Sequence, residues 1–357
     1  MFYGFIKKVS GKGWVVFKKP SIFKKIFNGE IPTQAKIAIF LIFQLIFPIL
    51  TMPLFVFYGP FENVKKTLVG SSMQTLTHQF IAQAFLSDDA IGRIMGKSYA
   101  DDPTVKGEEI QEINIDPTKK NSTKIEVVNI DGKTFDGKMM IIDDPTRIQI
   151  GYSSKMPVSG ETTSAIAKRM SAVAAINAGG FMDIGMTGTG GAPMGFIIHD
   201  GNVVYNQIKS ESEKQDTVAM TRDGRLIVGR HSISQLKGYG VKDGVSFGPP
   251  LIVNGKKTIK DDGGWGLAPR TAIGQRSDGT ILMLVIDGRR FGSVGAYLRD
   301  VQDILYDFHA VNAANLDGGS STTMYYNGNI INKPSDALGE RMVPSVFVVM
   351  PVKEAGK

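Results

Sequence analysis

The chain has 357 residues, room for two or three domains or for one domain with an appendage, and its lack of cysteine excludes a disulfide framework. A formal charge of +7 suggests a nucleic-acid partner, but eight lysines and a single acid fall within residues 1–36. Taking these from the 41 basic and 34 acidic residues leaves 33 of each, which excludes a basic nucleic-acid surface for the rest of the chain.

The basic segment 1–36 precedes residues 37–61, which carry no charge and include Pro48 and Pro53. About 20 apolar residues cross a bilayer as a helix, and membrane helices tolerate proline. Lysine on the N-terminal flank places 1–36 in the cytoplasm and the remainder outside the cell. The apolar run is long for a cleaved leader and no small-residue cleavage site follows it, so the expectation is a single-pass signal anchor. An exported chain without cysteine suits a bacterial envelope.

Residues 62–124 read as a helical stalk and linker. Leu68, Met73, Leu76, Phe80, Ala84 and Ile91 recur at helical spacing, His78 is read as a surface residue, and 97–124 turn polar. From residue 125 to 352 the texture becomes short strands and Gly-rich turns. Residues 124–130 and 137–142 form a strand pair, 147–152 a further strand, 162–170 a short helix and 172–176 a buried strand. Hairpins follow at 195–204 and 218–228. Residues 295–310 are an amphipathic helix, with Tyr297, Leu298, Val301, Ile304, Leu305 and Phe308 on one face. It lies between the apolar runs 281–286 and 311–316, a βαβ unit with parallel strands that end at Asp287-Gly288 and Asp317-Gly318. The carboxyl ends of such strands share one edge, where ligand sites form. The fold class is α+β: a mixed β-sheet domain with flanking helices and one βαβ unit, preceded by a transmembrane helix and a helical stalk.

Asn315-Leu316-Asp317-Gly318-Gly319-Ser320-Ser321-Thr322-Thr323 carries the most chemistry. Glycines allow sharp turns and close backbone approach, and N–H groups backed by hydroxyls cradle an anionic oxygen beside an aspartate suited to proton transfer. Arg270 suits bidentate phosphate binding, Asn177 and Asn315 suit sugar hydroxyls or a carboxylate, and Asp287 and Asp317 can divide acid and base roles. Each has a plainer alternative: Asp287 as a hairpin residue, Arg270 as a surface ion-pair partner, 177–180 as a simple turn. There is no P-loop and no Gly-x-Ser-x-Gly elbow. The glycine run 185–191 reads as an active-site loop or a plain linker. His199, His231 and His309 lack metal-ligand spacing. No cofactor is called for, and a divalent cation on Asp317, Asp287 and neighbouring oxygens stays open.

The sequence resembles the phosphodiester glycosidase family over roughly residues 125–352. Its marks are Asn177-Ala178-Gly179-Gly180-Phe181, Gly248-Pro249-Pro250-Leu251-Ile252-Val253-Asn254-Gly255, Ala268-Pro269-Arg270-Thr271-Ala272-Ile273-Gly274, Val285-Ile286-Asp287-Gly288-Arg289, the Asn315–Thr322 run and the closing Arg341 with its strand. It departs from the family at Ala178, at Met182 and in carrying two glycines after Asp317 where many members have three. The resemblance implies hydrolysis of a sugar-1-phosphodiester at the anomeric carbon, with phosphate as leaving group. Asp317 would activate water or stabilise the oxocarbenium ion, and Asp287 would handle protons. Arg270 and the nest of Gly318, Gly319, Ser320 and Ser321 would hold the phosphate, with Asn177, Gly180, Phe181, Thr271, Asn315, Thr322 and Arg341 completing the substrate site. The expected substrate is a phosphate-linked glycan of the cell envelope, such as teichoic acid or exopolysaccharide. The rivals are a non-catalytic glycan-binding module on a membrane stalk and a phosphodiesterase attacking phosphorus.

Overall fold

The structure is a computed structural model and describes residues 32–73, 79–87, 90–91, 94, 113–182, 188–336 and 338–352. The basic segment 1–31, Leu76, His78, most of the polar linker and the first part of the 185–191 glycine run lie outside the described residues. Contacts divide the chain into two units, residues 1–61 and 62–357.

In the first unit, helix α1 (Thr33–Tyr58) runs through Pro48 and Pro53. Its apolar side chains are exposed nearly all round, with Phe40, Leu45, Leu50 and Phe55 each at least half exposed. By length and composition this helix is able to cross a membrane: its 26 residues extend about 39 Å, more than a bilayer core.

The second unit begins with α2 (Glu62–Met73) and α3 (Gln79–Gln83). Gly70 backs directly on the main chain of Gly264 and Trp265, leaving no room for a side chain, and Val69 is fully buried. Within the stretch read as a helical stalk, α2 thus packs against a loop of the domain. The last part of the linker also packs: Asp116 N donates to Asp278 O and Lys119 pairs with Asp278.

Among the described residues twenty-one strands follow in chain order. They open with β1 (Ile125–Asp131), β2 (Asp136–Ile142), β3 (Ile148–Tyr152) and β4 (Glu161–Thr162); α4 (Thr163–Arg169) leads to β5 (Ala174–Asn177). Next come β6 (Phe181–Met182), β7 (Ala192–Pro193), the hairpin β8 (Phe196–His199) and β9 (Asn202–Asn206), and the hairpin β10 (Gln215–Thr221) and β11 (Leu226–His231). After α5 (Ile233–Gly238) come β12 (Val241–Ser246), β13 (Pro250–Val253), β14 (Lys256–Lys257), β15 (Arg270–Arg276) and β16 (Ile281–Ile286). Helix α6 (Leu298–Asp307) then leads to β17 (Ala310–Leu316), β18 (Met324–Tyr326), β19 (Asn329–Ile330), β20 (Met342–Val343) and β21 (Ser345–Val349).

Three sheets share one core. Their orders are β1-β2-β16-β15-β17-β13-β14, β11-β10-β12-β8-β9 and β19-β18-β5-β21-β3. The period of two in a strand sorts its side chains between inner and outer faces. Met140, Met283, Val285, Ala314, Ile176, Phe347, Ile197, Val218 and Val245 all enter the common core. Their neighbours go outward, and each sheet covers its outer face with one helix: α6 over Met139, Leu282, Leu284 and Ala313; α4 over Ala175, Val346 and Val348; α5 over Phe196, Ala219 and Ile227. Burial on both faces explains why runs such as Ile281-Leu-Met-Leu-Val-Ile286 are apolar without alternation.

The fold is α+β and sheet-rich as expected, and the strand–helix–strand unit β16-α6-β17 is present with its strands parallel. They are not neighbours. β15 lies between them, antiparallel to both, with Arg270 opposite Ile286 and Thr271 opposite Leu316. The start of β15 is thereby flanked by the ends of β16 and β17, which carry Asp287 and Asp317.

Candidate active site

Four chain turns meet at this edge. Asn177, the last residue of β5, is fully buried and ties three of them together. Its Nδ2 donates to Asp317 O, while its Oδ1 accepts from Thr271 Oγ1 (2.8 Å) and from Thr323 N (3.1 Å). Asp317 N donates to Ala178 O (2.9 Å) and Gly319 N to Pro269 O (2.9 Å). The fourth turn joins through Asn332, whose Nδ2 donates to Asp287 Oδ1 (3.0 Å) and to Thr322 O (3.1 Å).

Asp317 is half-buried, and its Oδ2 is buried without a hydrogen-bond partner. Burial pushes its carboxyl up to about 6, against the pull of the Ser321 hydroxyl, Arg341, the Gly318 N–H and Arg289. Buried oxygens that find no partner in the protein accumulate beside it: Asn315 Oδ1, Thr322 Oγ1 and Thr323 Oγ1. Such atoms are rare in folded proteins, and a cluster of them marks a place where a ligand or water completes the bonding.

Asp287 differs. It is 6% exposed and both oxygens are engaged, Oδ1 by Asn332 and Lys333 N (3.0 Å) and Oδ2 by Lys333 N (3.2 Å) with Arg290 at 3.8 Å. Burial raises its carboxyl, and Asn332, Lys333 and Arg290 oppose that shift. These contacts tie the loop after β19 to the end of β16.

Arg270 is 1% exposed, and its guanidinium donates to main-chain carbonyls: Nε to Ala296 O (3.1 Å), Nη2 to Trp265 O (3.2 Å) and to Gly266 O (2.5 Å). Burial lowers its pKa to about 9. These donors brace the 265–270 turn against Ala296, two residues before α6, and are turned to protein. Several amides after Asp317 are also spent within the protein: besides Gly319 and Thr323, Ser321 N donates to Gly318 O and Thr322 N to Gly319 O, while the Gly318 N–H faces the Asp317 carboxyl. The glycines of this loop serve tight packing: Gly319 has φ 61°, and a side chain on Gly318 would strike Pro269 O.

The positive charge facing Asp317 comes instead from Arg341 and Arg289. Arg341 Nη1 donates to Ser320 Oγ (2.8 Å), and its guanidinium lies 5.2 Å from the Phe181 ring centroid. Gly188 lies against it, so the described end of the 185–191 run borders the site. Gly180 packs on Phe247 and Gly179 N donates to Ser345 Oγ (3.1 Å). Asn315 Nδ2 holds Gly248 O (3.1 Å).

Sequence reasoning passed over Arg289 as a site residue, although it follows Asp287-Gly288 within a quoted motif. It also passed over Asn332 and Asp216. Asp216, half-buried, lies against Gly248; burial raises its carboxyl against the opposing Arg230. Nothing local in the sequence marks these residues, because strand pairing alone brings them near. Of the histidines, His199 Nδ1 is 2.9 Å from the buried Asp243, which raises its pKa. Among the described residues no group of His, Asp and Glu gathers in a way that would hold a metal ion.

A strand-edge site with an unpaired carboxyl oxygen, a guanidinium pair facing it and glycine-packed turns brings a proton-transfer group beside cations able to meet an anion. The chain belongs to the phosphodiester glycosidase family, whose sequence profile matches residues 170–350. The SPbeta prophage-derived uncharacterized protein YomE of Bacillus subtilis (strain 168) is 29% identical over 215 residues, covering 58% of this chain and 32% of YomE. N-acetylglucosamine-1-phosphodiester alpha-N-acetylglucosaminidase of Bos taurus is 36% identical over 76 residues, 21% of this chain and 14% of that enzyme. The chain thus spans less than two thirds of the length of these relatives. The zebrafish N-acetylglucosamine-1-phosphodiester alpha-N-acetylglucosaminidase catalytic domain superposes with a TM-score of 0.58 at 22% identity, over 72% of this chain and 92% of that one, which shows a common fold.

Proposed function

We propose that this chain is a membrane-anchored hydrolase that cleaves a sugar-1-phosphodiester of a cell-envelope glycan outside the cell, at the bond between the anomeric carbon and oxygen. Asp317 carries the reading: its carboxyl titrates near 6 and its free oxygen stands beside two guanidinium groups. In this mechanism ionised Asp317 takes a proton from water as the water oxygen attacks the anomeric carbon. The C–O bond breaks, the electron pair leaves with the phosphate as a phosphomonoester, and the proton passes from Asp317 to solvent. Arg341 and Arg289 meet the charge that develops on the departing phosphate. Asp287 positions the 332–333 loop, and Asn177 fixes the main chain on which Asp317 sits. The apolar α1 supports anchoring, and the lysine-rich segment before it supports an outward-facing domain.

The test is hydrolysis of a panel of sugar-1-phosphodiesters in oxygen-18 water by the wild type and Asp317→Asn. The expected result is label in the released sugar and a loss of kcat of about 10²–10⁴ in the variant, with substrate binding kept. Label in the phosphate means attack at phosphorus. Full turnover by Asp317→Asn removes the residue from the mechanism, and glycan binding without any turnover points to a binding module.

A further inference from the structure

Two loop tips beside the site end in large apolar side chains with nothing over them. The first loop leaves β16 at Asp287 and closes on itself, Arg289 N donating to Val294 O and Arg290 N to Ser293 O; Phe291, at its tip, is 105% exposed and Val294 48%. The second is fastened at Lys333 N on Asp287 and at Arg341 on Ser320, and turns at Asp336–Gly339; Leu338 on this turn is 95% exposed. Exposed Met342 follows Arg341, and Val158 sits beside it on the loop that Ser159 joins to Met342 Sδ. Exposed Met194 flanks Gly180. Among the described residues beyond 80, the other exposed large apolar side chain is Tyr306, which has Lys257 over its ring. Exposed apolar surface is thus gathered on the site loops, where an enzyme for a fully hydrated polymer has no use for it.

We infer that this rim enters the surface of the bilayer and that the site takes sugar-1-phosphodiesters carried on membrane lipid. This rests on the proposed function and on α1 as a membrane anchor. Three residues, 59–61, separate Tyr58 at the end of α1 from Glu62 at the start of α2. Gly70 on α2 packs on Trp265, whose carbonyl receives Arg270 at the head of β15, so α2 is part of the site's own scaffold. Exposed Arg289 and Lys333 lie on the same two loops as the apolar tips and match anionic headgroups. Loops that pair apolar tips with basic residues suit a protein that lies in a lipid interface.

The test uses the full chain in nanodiscs of phosphatidylcholine and phosphatidylglycerol. Because the chain has no cysteine, single substitutions Phe291→Cys, Leu338→Cys and, as control, Tyr306→Cys accept an environment-sensitive fluorophore at one site each. Quenching by brominated acyl chains is expected to be about tenfold or more stronger at 291 and 338 than at 306. Equal quenching at all three positions, stronger access of aqueous iodide at 291 and 338, or a chain that stays out of the nanodiscs overturns the inference. So does protection of 291 that appears only at high protein concentration, since it indicates a second copy. In a second arm, the double variant F291S/L338S is expected to lose about tenfold or more of its turnover on a diester with a long alkyl tail in the bilayer, and none on its short-chain soluble analogue. Equal loss on both substrates also overturns it. If the fluorophores enter lipid and neither diester is cleaved, the hydrolase reading fails while the lipid contact stands.

Discussion

Asn177 and Asp317 lie 140 residues apart in sequence, and the side-chain amide of the first donates to the main-chain carbonyl of the second. The bond crosses from the β5 sheet to the β17 sheet and fixes the main chain that carries the Asp317 carboxyl. Its energy is that of a buried amide satisfied on both ends, and its loss leaves Thr271 Oγ1 and Thr323 N without an acceptor.

Asn177→Ala is therefore expected to cost about 2–4 kcal/mol of stability, since truncation leaves buried groups unpaired. Asn177→Asp keeps the acceptor, loses the donor and sets a charge beside Asp317. Urea denaturation measures the first effect and kcat the second. An alanine variant that unfolds at the wild-type midpoint would remove Asn177 from its bracing role.

Activity is expected to fall as pH drops through about 6, because the base must be ionised and Asp317 titrates there. The profile of kcat/KM against pH in the wild type should show this acid limb. A limb that instead falls with rising pH through 6 would make Asp317 an acid and reverse its role.

The same shift has a consequence for stability. With a folded value near 6 and an unfolded value near 3.9, Asp317 is charged in both states above pH 6, and there the folded state bears the cost of its burial. That cost declines as pH falls from 6 and is gone below the unfolded value. Asp317→Asn should then raise Tm by about 2 °C or more at pH 7.5 and change it little at pH 4. Calorimetry at the two pH values checks this, and a destabilised variant at pH 7.5 would contradict it.

Much of this edge was legible in the sequence because strand and turn signals are local. The run 281–286, the amphipathic α6 and the glycines after Asp317 each announce themselves within a dozen residues. What stayed hidden was pairing. β15 and β16 form a hairpin across Asp278-Gly279, which slides β15 between the two parallel strands, and that outcome depends on partners distant in sequence. The roles of Arg270 and of the 318–323 amides were hidden for a related reason. A sequence shows that a donor exists but not which carbonyl lies opposite it. Arg289 and Asn332 were missed because a turn arginine and a loop asparagine look ordinary until the fold places them.

Arg270 and Arg341 should separate in experiment. Arg270→Lys cannot reproduce a planar fork that serves carbonyls at Trp265, Gly266 and Ala296, and a loss of about 3 kcal/mol or more is expected in thermal and urea unfolding. Arg341→Lys sits at the half-buried edge, and is expected to raise KM for a phosphodiester by about 10-fold or more with little change in Tm. Equal effects of the two substitutions on KM alone would place both guanidinium groups on substrate.

The fit of Gly70 against Trp265 bears on any version of this protein without α1. A chain begun at residue 115 uncovers the peptide groups of 264–265, the same turn that Arg270 braces, and so loosens the floor beneath Asp317. A chain begun at residue 62 dispenses with the greasy helix and keeps that floor supported.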